Sequence, residues 1–465
     1  ILMETVSAST FAGGSGTVSD PYQISNVYEL QNMSTNLNVY YILVNDIDAS
    51  ATSGWNSGAG FVPIGTSSAR FKGSLDGQGH SISNLYINRP STNYIGLFGY
   101  TEFGSIKNIG LIDNDITGQN YVAVLVGSSY WSRMEKCYAE GEVYGIDHTG
   151  GLVGYDYSGS SNNLYAKVNV SGSNSVGGLF GGLHYATLDN SYARGDVYGV
   201  YYTGGLIGQN AFGNIQKSYS TGYVESSYSG GLVGVNWGGT ILNSFWDTET
   251  SEQSTITGGT GKTTAEMKDV ATFTNESTVG LDEAWDFVGD PYNDTATENI
   301  WDIDSEKNDG YPYLSWQVFE EPIQVTEFGL YADQDIEVGK IIVWKDGNYL
   351  YVNFTVTAEN WYLTEINLDV GNYLNDIPQN KKGNPIVGWF TYSWLNTTPE
   401  TTWHLMVVNI SDEELTGDII IAAHAALANH NNDPVTYEGS WAATAPGENR
   451  FVEKGSWATY LVYEI

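Results

Sequence analysis

The sequence holds a single cysteine among 465 residues, Cys137, so no disulfide can form within the chain and pairing says nothing about redox compartment. Basic residues are scarce: 18 Lys and Arg stand against 54 Asp and Glu, a formal net charge of −36. Such a surface repels phosphates and anionic headgroups, which excludes a nucleic-acid partner. The acids either solubilise the exterior or bind cations. No run approaches the roughly 18 consecutive apolar residues of a membrane span, so none is expected in the mature chain. Between residues 96 and 246, apolar stripes long enough for a helix are missing as well. The six histidines, His80, His148, His184, His404, His424 and His430, include no His-Glu-x-x-His pair, which excludes a zinc protease of that kind.

What the sequence does have is a repeat. The phrase Gly-Leu-apolar-Gly returns at Gly96–Gly99, as the degenerate Val124–Gly127, and at Gly151–Gly154, Gly178–Gly181, Gly205–Gly208 and Gly231–Gly234. Successive starts lie 28, 27, 27, 27 and 26 residues apart. A second phrase keeps step at Cys137-Tyr138-Ala139, Leu164-Tyr165-Ala166, Ser191-Tyr192-Ala193, Ser218-Tyr219-Ser220 and Ser244-Phe245-Trp246, and a third at Val143, Val170, Val197 and Val224. A repeat of this length buries its apolar face only by stacking on its neighbours. Each unit holds about three short β-branched or aromatic runs, enough for one three-strand coil and too short for a propeller blade of about 40 residues. At a strand spacing of about 4.8 Å, each repeated Leu or Tyr falls above its counterpart one coil away. The expected fold is all-β, a parallel β-helix or β-solenoid of about 27 residues per coil.

The phrases Gly-Gly-Leu-Val-Gly and Ser-Tyr-Ala-Arg-Gly-Asp-Val resemble the GLUG-motif repeats of secreted bacterial and archaeal surface proteins, over about residues 15–315. The resemblance implies a secreted, adhesin-like or surface-anchored protein, and the repeat itself has no assigned chemistry. The lead-in at residues 40–87 and the aromatic segment around Trp285, Trp301 and Trp316 resemble the flanks of such solenoids, the latter placed to cover the edge of the last coil.

Four segments are expected: an arm at 1–14, the β-helix at 15–250, a capping extension at 251–320 and an antiparallel β-sandwich at 321–465. Asn26 and Glu29 have the spacing of a capping box, which predicts a short helix closing the solenoid's open end. Thr263 to Phe273 reads as a second helix. Beyond Glu320-Glu321-Pro322 the period vanishes and alternating strands take over, with a hairpin turn at Lys345-Asp346-Gly347-Asn348. The last residues resemble a terminal β-domain recurrent in secreted archaeal and bacterial proteins.

Candidate chemistry is thin. Gly258-Gly259-Thr260-Gly261-Lys262-Thr263 invites a phosphate-loop reading, but the position of the first required glycine is Ile256. Asp302, Asp304 and Glu306 alternate, as do Asp46 with Asp48 and Asp113 with Asp115, giving hard oxygen ligands that suit calcium. The run at 302–310 lacks the central glycine of an EF-hand loop. His424 and His430 with Asp433 could hold a metal or simply be solvated. No other cofactor is expected. Paired carboxylates could serve glycoside hydrolysis if two stood about 5 to 9 Å apart in a cleft. Tyr155, Tyr157, Tyr201 and Tyr202 could stack on sugars or serve as packing. Cys137, on a rung held by Leu164 and Ser191 elsewhere, reads as a buried, inert thiol.

The chain opens at Ile1 without an initiator Met and reads as a mature form after removal of an export signal. Seven sequons, at Asn32, Asn169, Asn275, Asn293, Asn353, Asn396 and Asn409, permit N-glycosylation. Ile1, Leu2, Met3 and Val6 lie on an alternating arm hinged at Gly13–Gly16, suited to pair within its own subunit or to donate a strand to a neighbour. The functional expectation is therefore a non-enzymatic, extracellular or cell-surface structural protein, an adhesin or a self-assembling filament subunit, with surface glycans or other cells as further partners. The alternative is a carbohydrate-binding or polysaccharide-degrading β-helix.

Overall fold

The computed structural model describes residues 11–254, 257–289, 299–319, 325–332, 336–396, 400–410, 415, 417–430, 436–443 and 458–464. The arm residues Ile1, Leu2, Met3 and Val6, together with Asn293 and Asp433, lie outside them. The chain divides into two compact units, Ile1–Val318 and Phe319–Ile465.

The first unit is a three-sided parallel β-solenoid. One side is a six-stranded parallel sheet running Phe98–Glu102, Val126–Tyr130, Val153–Tyr157, Phe180–His184, Ile207–Ala211 and Val233–Trp237. A second side stacks Asn120–Val122, Asp147–Gly150, Asn174–Gly177, Tyr201–Gly204 and Ser229–Gly230. The third and longest sheet carries the Tyr and Val ladders, with Tyr138, Tyr165, Tyr192 and Tyr219 paired rung to rung and Val143, Val170, Val197 and Val224 likewise. Inside, Leu97, Leu125, Leu152, Leu179, Leu206 and Leu232 are all buried, as the repeat requires.

The glycines of the repeated phrase have a steric cause. A Cβ on Gly178 would stand 2.2 Å from the carbonyl oxygen of Gly205, and one on Gly181 2.5 Å from that of Gly154. Adjacent coils therefore approach backbone to backbone at both ends of the phrase, and a side chain would force them apart.

Each coil turns three corners, and a residue in the left-handed region stands at each. Asn108, Lys136, Asn163, Asn190, Lys217 and Asn243 form one corner line, with φ from +45° to +57°. Asn tolerates this conformation better than most residues, and it holds four of the six places. Directly after this corner comes a hydroxyl ladder. Ser191 Oγ donates to the Asp189 carbonyl at 2.8 Å and accepts from Leu164 N–H at 3.1 Å; Ser218 and Ser244 repeat the pattern one coil on. Cys137 holds the same rung, with Sγ 3.3 Å from the Glu135 carbonyl, and burial pushes its thiol up to about 12. It acts as a weak stand-in for serine and stays protonated.

One interior rung is discordant. Ser129, Asp156, Leu183, Asn210 and Asn236 stack in register. Asn210 and Asn236 each accept the N–H of the glycine three residues on, at 3.1 and 3.0 Å. Asp156 is fully buried and neither of its oxygens makes a hydrogen bond of ordinary geometry. Burial raises its carboxyl to about 7, against a smaller opposing pull from Ser129.

At the N-terminal end, Asn26 Oδ1 accepts from Tyr28 and Glu29 N–H and opens the short helix Val27–Asn32, while Glu29 reaches back to Ser25. The helix expected at 263–273 is two shorter ones, Thr264–Met267 and Ala271–Thr274, the first with a complete Thr263–Glu266 capping box.

The second unit is antiparallel. Nine strands hydrogen-bond as one continuous sheet in the order Tyr392–Leu395, Trp361–Gly371, Asp418–Asn429, Thr436–Ala443, Thr326–Ala332, Ile336–Asp346, Tyr349–Val356 and Trp403–Asn409, with Leu461–Glu464 added to Asp418–Asn429. Residues from strands at both ends of that order, Val352 and Val408 with Leu363, Ile366 and Ile421, share one buried cluster. The two layers of the sandwich are thus one sheet folded over its own core. Gly347, at φ +54°, turns the hairpin at the predicted place.

Two outcomes follow for the solenoid. Leu179→Asp places an unpaired charge between coils and should cost roughly 4 kcal/mol, read as a lowered denaturation midpoint of the first unit. For Asp156, folded and unfolded chains both hold the proton below about pH 4; between about 4 and 7 only the unfolded chain releases it, so stability falls as pH rises through that window. Asp156→Asn should abolish this slope and raise stability at pH 8 by on the order of 4 kcal/mol at most, read from the denaturation midpoint.

Candidate binding surface

Strand alternation turns Ala139, Ala166 and Ala193 into the solenoid's core and their tyrosine neighbours outward. The outward rings form a continuous stack: Tyr138 to Tyr165 at 4.8 Å, Tyr165 to Tyr192 at 5.2 Å and Tyr192 to Tyr219 at 4.9 Å, all within 7° of parallel. An uncovered stripe of this kind would be a strongly apolar flank, and the segment after the solenoid covers it. Phe273, Leu281, Trp285, Trp301 and Leu314 pack against Tyr165, Tyr192, Tyr219 and Phe245 in one buried cluster.

Polar bonds fix the cover in place. Tyr219 Oη donates to the Pro312 carbonyl at 2.5 Å and accepts from Asn308 Nδ2 at 3.1 Å, and Tyr192 Oη donates to Gln317 Oε1 at 2.8 Å. Arg194 reaches Asn308 and Asp309, each at 2.6 Å, and lies over the Tyr311 ring. The aromatic segment therefore runs along the solenoid's flank, where the sequence had placed it over the last coil's edge. Among the described residues of the extension, Thr260–Lys262 is the strand that pairs with an edge strand, Phe245–Asp247. The physical reason is that the largest uncovered apolar area is the tyrosine stripe, not the strand edge.

The cover ends at Trp316-Gln317-Val318, and there a cavity of about 420 Å³ opens beside the last uncovered rung. Gln78, Asn108, Lys136, Tyr138, Tyr165 and Trp316 line it. Beyond Tyr138 the ladder is continued by Gly110 and then Ser81, so the aromatic stack stops and leaves room. Trp316 leans over Tyr138 and Tyr165 with ring centres 6.2 and 5.9 Å away. A larger cavity, about 720 Å³, lies at the other end of the solenoid and includes Glu249 and Glu252. The Glu249 carboxylate there accepts from Thr264 N–H at 2.8 Å.

A second aromatic line stays exposed. Phe103, Trp131, Tyr185 and Phe212 stand at left-handed corner positions and are each about half exposed. Phe103 stacks on Trp131 at 5.1 Å and Tyr185 on Phe212 at 5.2 Å, with Ser158 interrupting the line between the two pairs. Of the tyrosines suggested for sugar stacking, Tyr157 lies flat on Tyr130 at 4.4 Å, Tyr155 hydrogen-bonds His184 at 2.8 Å, Tyr201 stacks on Tyr228 and Tyr202 meets Trp237 edge-on. Each is engaged with its own neighbours.

The other sequence candidates do not converge. Among the described residues no group of three or more His, Cys, Asp or Glu side chains could hold a metal. Asp302 accepts from Tyr313 Oη at 2.6 Å, and Asp304 caps Glu306 N–H at 3.0 Å. Asp46 bonds the Ser81 N–H and Asp48 the Ser50 N–H. Asp115 is held above the usual carboxylate range, by burial first and the nearby Glu142 second. His424 is half-buried against Trp441, and loss of solvent lowers its imidazole to about 4; His430 packs on Tyr362. Lys262, the lysine of the phosphate-loop phrase, lies buried with its ammonium over the Phe245 ring.

Among the sequons, Asn169 and Asn275 are exposed, and Asn275 Oδ1 accepts from its own sequon serine, Ser277, at 2.8 Å. Asn32, Asn353, Asn396 and Asn409 are half-buried. Asn396 donates its amide nitrogen to the Leu363 carbonyl at 2.7 Å, a bond that a glycan would displace.

These features define a class: a β-solenoid with an aromatic flank and its cover, joined to an antiparallel β-unit. No protein-family model matches the chain. It is 45% identical over 125 residues to halomucin of Haloquadratum walsbyi, a stretch that is 25% of this chain and 1% of halomucin. It is 39% identical over 129 residues to a Gly-rich membrane protein of Evansella cellulosilytica, 26% of this chain and 15% of that one. The chain thus spans only a small part of the relatives it matches. A crystal structure described as an immunoglobulin A1 protease from Bacteroides ovatus superposes with a TM-score of 0.52 at 21% identity, over 66% of this chain and 96% of that one, a likeness of fold. No described helix is long and apolar enough to cross a membrane.

If the tyrosine stripe holds the cover, Trp301→Ala should loosen it at a cost of about 3 kcal/mol. Limited proteolysis would then cut within residues 264–318 before the solenoid, whereas an unchanged digestion pattern would place the anchoring elsewhere.

Proposed function

We propose that the chain is a non-enzymatic structural part of a secreted or cell-surface protein, acting as an adhesin or as the subunit of an extracellular filament. The observation that carries this reading is the register-locked stack of coils, and the likeness of about a quarter of the chain to halomucin and to the Gly-rich membrane protein supports it. Such a stack is extensible: each coil contacts only its neighbours, so length can grow without redesign of a core. The GLUG resemblance points the same way. The net charge of −36 favours solubility through self-repulsion between copies.

In this proposal the N-terminal arm, with Ile1, Leu2, Met3 and Val6, adds as a strand to a neighbouring copy. A head-to-tail contact of that sort propagates instead of closing. Glycans at the exposed sequons Asn169 and Asn275 belong to the same proposal.

Electron microscopy of the native protein beside a variant lacking residues 1–12 tests it. Fibres from the full chain and soluble monomers from the variant are expected. Fibres from both would remove the arm's role, and saturable turnover of peptides or β-linked glycans would overturn the non-enzymatic reading.

A further inference from the structure

The cavity at the end of the tyrosine stack is chemically out of keeping with the rest of the chain. Acids outnumber bases three to one, 54 to 18, yet the residues lining this cavity include one cation, Lys136, and no carboxylate. Lys136 stands at a left-handed corner, φ +51°, between the strand positions of Glu135 and Cys137, and makes no ion pair among the described residues. Asp76, beside Asn108, is held by Lys107 at 3.0 Å and by Asn108 Nδ2 at 3.0 Å; against the upward push of its burial, these and the Gln78 N–H keep its carboxyl below the usual range.

Three aromatic rings meet there, Tyr138, Tyr165 and Trp316, and the stack has no further ring beyond Tyr138 because Gly110 and Ser81 take the next positions. The space left, about 420 Å³, lies within the size range of small-molecule sites. Three carboxamides also line it, Gln78, Asn108 and Gln317, the last with its oxygen already taken by Tyr192 Oη and the Leu314 N–H. Aromatic faces take the C–H face of a flat ring, carboxamides take hydroxyls and an unpaired ammonium takes an anion.

We propose that this cavity binds a uronic-acid ring of an acidic polysaccharide. The pyranose stacks on Tyr138 and Trp316, its hydroxyls bond Gln78 and Asn108, and its carboxylate meets Lys136. This binding role goes beyond the structural function and does not depend on filament formation.

The test titrates the full chain with a galacturonate oligomer and, in parallel, with a neutral glucose oligomer, read by calorimetry and tryptophan fluorescence. Saturable binding of the uronate is expected, with the neutral oligomer at least tenfold weaker. Lys136→Met should erase that preference, and Tyr138→Ala should weaken both ligands about tenfold. Gln78→Ala, at an exposed turn, gives a second lining variant that leaves the ladder intact and should weaken binding several-fold. No saturable binding by the unaltered chain overturns the proposal, as does binding indifferent to Lys136→Met and Gln78→Ala.

Discussion

Everything in the solenoid rests on backbone approach between neighbouring coils. The parallel ladders bring each coil's main chain against the next, and at Gly178 and Gly181 the approach leaves no room for a Cβ. Once that spacing is fixed, identical side chains fall on identical rungs. Leucines then fill the interior, serine hydroxyls bridge coils at the same corner, and tyrosines stack outside. A change of register would displace all these rows at once, because side-chain direction along a strand has a period of two.

The same regularity creates a problem that the chain solves outside the repeat. Stacked tyrosines on an outer face are an apolar flank, and exposed patches of that kind invite association. The segment from Thr264 to Val318 covers most of it, with Trp285 and Trp301 as the largest buried contacts and Arg194 tying the cover to the repeat. Its end defines the cavity beside Tyr138. The candidate site is thus a boundary effect: it exists where the ladder stops at Gly110 and the cover stops at Val318.

Departures from the repeat mark the places with individual chemistry. Asp156 stands on the rung where Asn210 and Asn236, two and three coils on, hold a turn, and the result is a buried acid with a raised pKa. Cys137 replaces a serine and keeps its hydrogen bond in weaker form. Ser158 interrupts an exposed aromatic line that runs from Phe103 to Phe212. Periodic positions are fixed by packing, so the odd residue in a row carries more information than the row itself.

The sequence by itself determined the coil, its period and its rungs, because a 27-residue recurrence of Leu, Tyr, Val and Gly has few physical solutions besides stacking. It also located the helix cap at Asn26 and the hairpin at Gly347, both set by local backbone preference. Tertiary structure alone decided where the tryptophans of the extension go, since covering a flank and covering an edge place the same demand for apolar residues on a sequence. It alone decided that one sheet forms both layers of the second unit, because strand order is set by contacts distant along the chain. The cavity beside Tyr138 was illegible for the same reason: Gln78, Asn108, Lys136 and Trp316 come from different coils and from the extension, and nothing local to any of them says that they meet.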